Sequence, residues 1–296
     1  MTPFDPDAPA APGSGIFGLE CTREDARVVL LPVPFAATVS YGAGAERGPE
    51  AILAASHQVD LYDFHFGRAY EAGIHMLPPS PDVAAAHDRA RSIAAPLVAA
   101  GGASPDDPRV ADVDAAGVLV NEWLRTEGAA LLEQGAVVGV VGGDHSVPFG
   151  AIAAAAERGP IGLLHVDAHA DLRDAYEGFR WSHASIMHNV LAECPGVERL
   201  VQVGIRDYGQ GEVRAIHESG GRVLTHFDAE WQRRRFAGET FDALVLDALR
   251  PLPERVWVSV DIDGLDPSLC LQCLRGGSGE RIRGTSVATG QHGEGP

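Results

Sequence analysis

The sequence predicts an α/β fold: a mainly parallel sheet covered by helices on both faces. Three observations carry this. From Ala136 onward, short apolar runs alternate with helix-length segments, the pattern of strands joined by crossover helices. The 296 residues are 45% hydrophobic and 22% charged, enough for one large domain with an ample core. Finally, Asp and His stand where apolar runs end, and open α/β sheets bind ligands outside the carboxyl ends of their strands.

The elements follow in order. Residues 1–22, rich in Pro, Ala and Gly, predict a flexible arm. A first strand is expected over 27–33, followed by a Gly-rich loop over 35–48 and a short helix that opens at Pro49, where the first turn tolerates proline. Gly73-Ile74-His75-Met76-Leu77 predicts a second strand. Helices are expected around 83–99 and 115–134, separated by the loop 101–108. Further strands are expected near 136–141, 161–166, 200–204, 222–225 and 256–260, with helices between them. No internal repeat is visible. After Cys270 the chain is glycine-rich, with scattered charge and no apolar periodicity, so disorder is expected over 270–296.

Composition narrows the function. A net charge of −18 argues against nucleic-acid or anionic-membrane partners and suits a cationic substrate, although solubility alone explains it equally well. The four cysteines form no disulfide framework, and Cys270-Leu271-Gln272-Cys273 lacks the second pair of a zinc site. No basic-then-apolar leader and no apolar run near membrane-span length is present, so a cytoplasmic location is expected.

Three segments carry the chemistry: Gly142-Gly143-Asp144-His145-Ser146, His165-Val166-Asp167-Ala168-His169-Ala170-Asp171 and Ser259-Val260-Asp261-Ile262-Asp263-Gly264-Leu265-Asp266-Pro267. Residues two apart in extended chain point to the same side, so Asp167, His169 and Asp171 emerge together at a strand end. Asp261 and Asp263 repeat this spacing, and His145 follows a third strand-like run. Taken singly, a histidine is more often structural and an Asp-x-Asp more often a solvated turn. Three ionisable groups on one face, however, repel or stay unpaired unless a cation joins them. Two imidazoles with several carboxylates suit a pair of manganese-like ions, which makes metal-assisted hydrolysis the expected chemistry.

These motifs, in this order, resemble the ureohydrolase family of arginases and agmatinases over roughly residues 15–269. Val33-Pro34-Phe35, Ser40-Tyr41-Gly42-Ala43-Gly44, Gly48-Pro49-Glu50-Ala51-Ile52 and Gln58-Val59-Asp60-Leu61-Tyr62-Asp63 look like its agmatinase branch. The resemblance implies a three-layer α/β/α arginase-like fold, two Mn2+ ions, hydrolysis of a guanidino group to urea and an amine, and a homotrimer or homohexamer. It further implies one ion on His145, Asp167, Asp171 and Asp261, and the other on Asp167, His169, Asp261 and Asp263. His183 matches the family's proton-shuttle histidine, with a capping or core role as its bland alternative. Asp144 and Asp266 are expected to orient ligands. The segment 172–181 lacks the Asn/Ser run that grips the head group of arginine, which favours agmatine; Arg173 or Arg180 would serve a carboxylate-bearing substrate such as guanidinobutyrate.

The match stops near Cys270. The family continues with a helix and a last strand that lies beside the Asp-x-Asp strand, and the expectation is that residues 23–269 form a domain lacking both, through truncation or a shifted reading frame. The competing reading is a catalytically inactive metal-binding remnant. A single-zinc deacetylase fits the Asp-Ala-His-Ala-Asp and Asp-Ile-Asp pairings less well.

Overall fold

In the computed structural model, which describes residues 5–11 and 13–266, each expected strand is present and every pairing between them is parallel. In chain order the elements are β1 (Val28–Val33), α1 (Gly48–Ser56), β2 (Ile74–Met76), α2 (Pro81–Ala99), α3 (Pro108–Glu133), β3 (Val137–Gly142), α4 (Phe149–Glu157), β4 (Ile161–Val166), α5 (Ile186–Glu193), β5 (Val197–Ile205), α6 (Gln210–Glu218), β6 (Val223–Phe227), α7 (Asp228–Phe236), α8 (Phe241–Leu249) and β7 (Val256–Val260). The strands form two sheets, ordered β2-β1-β3 and β6-β5-β4-β7. Among the described residues, β3 and β7 each have a partner on one side only. The expected loss of a last helix and strand concerns residues 267–296, which lie outside the described residues, as does the Cys270/Cys273 pair.

Two clusters form the core. One packs Val29, Leu31 and Val33 of β1 against α2 and α3. The other packs β4 and β5 against α4 and α5. α3 begins at Pro108 rather than at the expected 115. Asp107 caps it by accepting from Arg109 N, and Pro108 takes the first turn, where no amide partner is needed. The helix is about 39 Å long at 1.5 Å per residue and lies against both α2 and α4, thereby tying the two sheets together.

The described part of the N-terminal segment packs against the domain. A short turn at Ile16–Gly18 packs on α1, with Ile16 buried, Phe17 N donating to Ser56 Oγ (2.9 Å) and Ala10 N donating to His57 O (3.0 Å). Burial of Ile16 and Leu19 outweighs the loop-like composition around them. Among the described residues no helix is long and apolar enough to cross a membrane.

Candidate metal centre

The ladders of β4, β5 and β7 place the acidic residues. Asp167 N donates to Val203 O (3.1 Å) and Asp261 N to Val166 O (2.9 Å), so each strand's pairing runs one residue into its aspartate. Asp167 and Asp261 therefore stand side by side at the carboxyl edge. Each then closes a tight turn, with Asp167 Oδ1 accepting from His169 N (2.6 Å) and Asp261 Oδ1 from Asp263 N (3.1 Å). Gly264 lets the second turn lie against the first, since a Cβ there would stand 2.7 Å from Asp167 N. Asp171 has a left-handed backbone (φ 54°), held by its carbonyl accepting from Met187 N and His188 N at the start of α5.

These turns aim the side chains at two points. At the first, His145 Nδ1 lies 2.9 Å from Asp167 Oδ2, 2.9 Å from Asp171 Oδ2 and 3.8 Å from Asp261 Oδ2. At the second, His169 Nδ1 lies 3.1 Å from Asp263 Oδ2 and 3.5 Å from Asp167 Oδ1. Asp167 thus offers one oxygen to each group. All six residues expected from the sequence converge here. His145, Asp167 and Asp171 of the first group are buried, whereas Asp261, His169 and Asp263 are partly open to solvent.

The donor chemistry fits cations. His145 Nε2 is engaged with Ser259 Oγ (2.8 Å), which leaves Nδ1 toward the carboxylates, the usual arrangement of a ligating imidazole with its other nitrogen tied down. Burial, reinforced by the Asp167 charge, pushes the Asp171 carboxyl up to about 7. Burial likewise raises Asp261 to about 6. Asp167 goes the other way: burial opposes its charge, but hydrogen bonds from His145, His165 and His169 hold it well below the usual carboxylate range. Hydrogen bonds to Asp167 and Asp263 raise His169 to about 11, and those to Asp167 and Asp171 raise His145 against the effect of its burial. Protons here do the work of balancing buried negative charge, a role divalent ions fill directly.

His183 lies in the short turn His183–Ser185. It is half-buried, its ring stands edge-on to Tyr176 (centroids 5.8 Å apart), and its buried Nδ1 has no hydrogen-bond partner among the described residues. Burial lowers its pKa. Asp144 Oδ1 closes its own turn by accepting from Ser146 N (3.0 Å), and its Oδ2 is buried with no hydrogen-bond partner among the described residues. In the loop after the second motif both arginines are engaged, Arg180 with Glu193 and Arg173 with Glu212 (3.8 Å) and over the Tyr176 ring (5.0 Å). Asp207, 82% exposed, reaches to 3.8 Å from His169 Nε2.

Sequence reasoning missed His165. It is fully buried in β4, with Nε2 2.8 Å from Asp167 Oδ2 and Nδ1 2.9 Å from Gln202 Nε2 of β5. The signal was available: His165 precedes Asp167 by two residues, the same spacing that singled out His169 and Asp171.

A family model described as "Arginase family" matches residues 26–270. The chain is 37% identical over 258 residues to the N(1)-aminopropylagmatine ureohydrolase of Thermus thermophilus, covering 86% of this chain and 73% of that protein. It is 31% identical over 249 residues to the enzyme of the same name from Synechocystis, covering 82% and 69%. Among solved structures, the agmatine ureohydrolase of Thermoplasma volcanium aligns with a TM-score of 0.64 at 22% identity, over 87% of this chain and 74% of that one. That structure shares the α/β fold described above.

Proposed function

This chain belongs to the arginase family, as an agmatinase-like ureohydrolase acting on guanidino C–N bonds, and on that premise we propose that it is a binuclear manganese enzyme cleaving agmatine, or an N1-substituted agmatine, to urea and an amine. The observation that carries this reading is the split of Asp167, with one oxygen toward His145 Nδ1 and the other toward His169 Nδ1. His145, Asp167, Asp171 and Asp261 are assigned to one ion, and Asp167, His169, Asp261 and Asp263 to the other. Such a pair supplies Lewis-acid charge and a water acidic enough to attack a guanidinium carbon near neutral pH.

The chain's own residues do the rest. Asp167 and Asp261, side by side at the strand ends, fix the separation of the two ligand groups. His183, whose pKa burial lowers and whose ring stands edge-on to Tyr176, is the group assigned to take up a proton and return it to the leaving amine. With Arg173 and Arg180 already engaged by glutamates, the loop beside the site holds no spare cation for a substrate carboxylate, while Asp207 adds negative charge at the rim. This favours a cationic substrate without an α-carboxylate. The reading also includes self-association into a trimer or hexamer, which sedimentation velocity checks.

The test is urea release by the purified, manganese-loaded chain offered agmatine, N1-aminopropylagmatine, arginine and guanidinobutyrate in parallel. Urea from either of the first two supports the proposal. Urea from arginine or guanidinobutyrate alone corrects the substrate, and manganese uptake without urea from any of the four favours the inactive metal-binding reading.

A further inference from the structure

A line of four polar side chains, three of them buried and Thr225 half-buried, runs across three strands behind the metal centre. Thr225 Oγ1 on β6 donates to Gln202 Oε1 on β5 (2.8 Å). Gln202 Nε2 lies 2.7 Å from Ala170 O and 2.9 Å from His165 Nδ1 on β4, and His165 Nε2 lies 2.8 Å from Asp167 Oδ2. His165 and Gln202 are completely buried, so no solvent competes for these bonds.

The polarity of this line is forced. A carbonyl oxygen only accepts, so the Gln202 atom facing Ala170 O is the amide nitrogen. That same nitrogen faces His165 Nδ1, and an amide nitrogen does not accept, so Nδ1 carries no proton. The ring's proton is therefore on Nε2, where it faces Asp167. We infer that His165 is a positioning residue whose Nε2–H, oriented by Gln202 and Thr225, holds Asp167 in the setting that shares it between two ions. The inference rests on the assignment of Asp167 as the bridging ligand.

Counting lone pairs gives the consequence. Setting aside the ring nitrogens of His145 and His169, which are assigned to the ions, Asp167 Oδ2 receives His165 Nε2–H and Oδ1 receives His169 N–H, one donor from outside the ligand set on each oxygen. One lone pair per oxygen remains, and the carboxylate cannot rotate without breaking a bond. So held, Asp167 would give one oxygen to each ion rather than both oxygens to one. His165 itself has no free nitrogen and is not a ligand, although it lies among the residues of the first group.

Three measurements on the full chain test this. In 15N NMR of the metal-free protein, His165 is expected as the neutral Nε2–H tautomer, and Gln202→Leu is expected to admit the Nδ1–H form. His165→Phe is expected to weaken manganese binding by about 10–100-fold, and His165→Gln, which returns a donor nitrogen, to recover most of that loss. Electron paramagnetic resonance should show exchange-coupled manganese in the parent and in His165→Gln, but isolated ions in His165→Phe. An Nδ1–H or doubly protonated ring in the parent overturns the inference, as does a His165→Phe variant with unchanged affinity and coupling. If the parent binds no manganese, the proposed function fails, and the tautomer spectrum alone upholds or overturns the oriented line of hydrogen bonds.

Discussion

β4 runs between β5 and β7 with Leu163 and His165 fully buried, whereas among the described residues β7 is paired only on its β4 side and leaves Val256, Val258 and Val260 40%, 55% and 59% exposed. Both strands deliver aspartates to the same centre. Those that follow β4, Asp167 and Asp171, have side chains no more than 4% exposed, and those that follow β7, Asp261 and Asp263, are about 30% exposed. The β4 half of the site is thus fixed by packing and hydrogen bonds before any ligand arrives. The β7 half is held through its ladder with β4, the turn at Gly264 and the Arg206 guanidinium on the carbonyls of Asp263 and Leu265.

The largest expected contrast between the halves is in metal uptake. Asp167→Ala should remove binding of both ions, a loss greater than about 100-fold, beyond the usual effect of losing an outer hydrogen-bond partner. Asp263→Ala should leave the His145 group able to hold one ion. Calorimetric titration with manganese reads both, and equal losses would erase the asymmetry. Next comes core packing: Leu163→Ala should cost about 2–5 kcal/mol in urea denaturation, since its side chain is enclosed on all sides.

A pH effect follows in size. Asp171 and Asp261 have folded-state pKa values raised to about 7 and about 6, from 3.8. A group so raised contributes stability that is complete below its unfolded pKa and is lost as pH rises through its folded one. The metal-free protein should therefore melt at lower temperature at pH 8 than at pH 5. Asp171→Asn should flatten that slope, and bound manganese should remove it; a slope unchanged in Asp171→Asn would place its origin elsewhere. The smallest effect is Val258→Ala, expected within about 0.5 kcal/mol because half of the side chain is already in water. A cost there approaching that of Leu163→Ala would mean that β7 is covered in solution.

The same contrast marks what the sequence makes legible. Apolar runs located all seven strands of the described residues, because buried parallel strands leave a continuous signal. Same-side spacing found the acidic residues and His169, because it reflects the geometry of a single strand. The helix start at Pro108 was missed although Asp107-Pro108 carries a capping signal and Val110 and Val113 begin the apolar stripe that continues through Val120 and Leu124. The division into two sheets was also hidden, because which strand neighbours which is a non-local property. The oriented line behind Asp167 joins Thr225, Gln202 and His165 from three strands, and only His165 lies at a spacing that local reasoning can use.

The contact between α3 and α4 has its own consequence. A Cβ on Gly150 would stand 2.0 Å from Asn121 O, so the two backbones nearly touch at the place where one core meets the other. With no side chains there to act as a cushion, neither half can swell or melt while the other keeps its packing. The slowest-exchanging amides should accordingly be shared between α3 and β4, and the two sheets should behave as one cooperative folding unit.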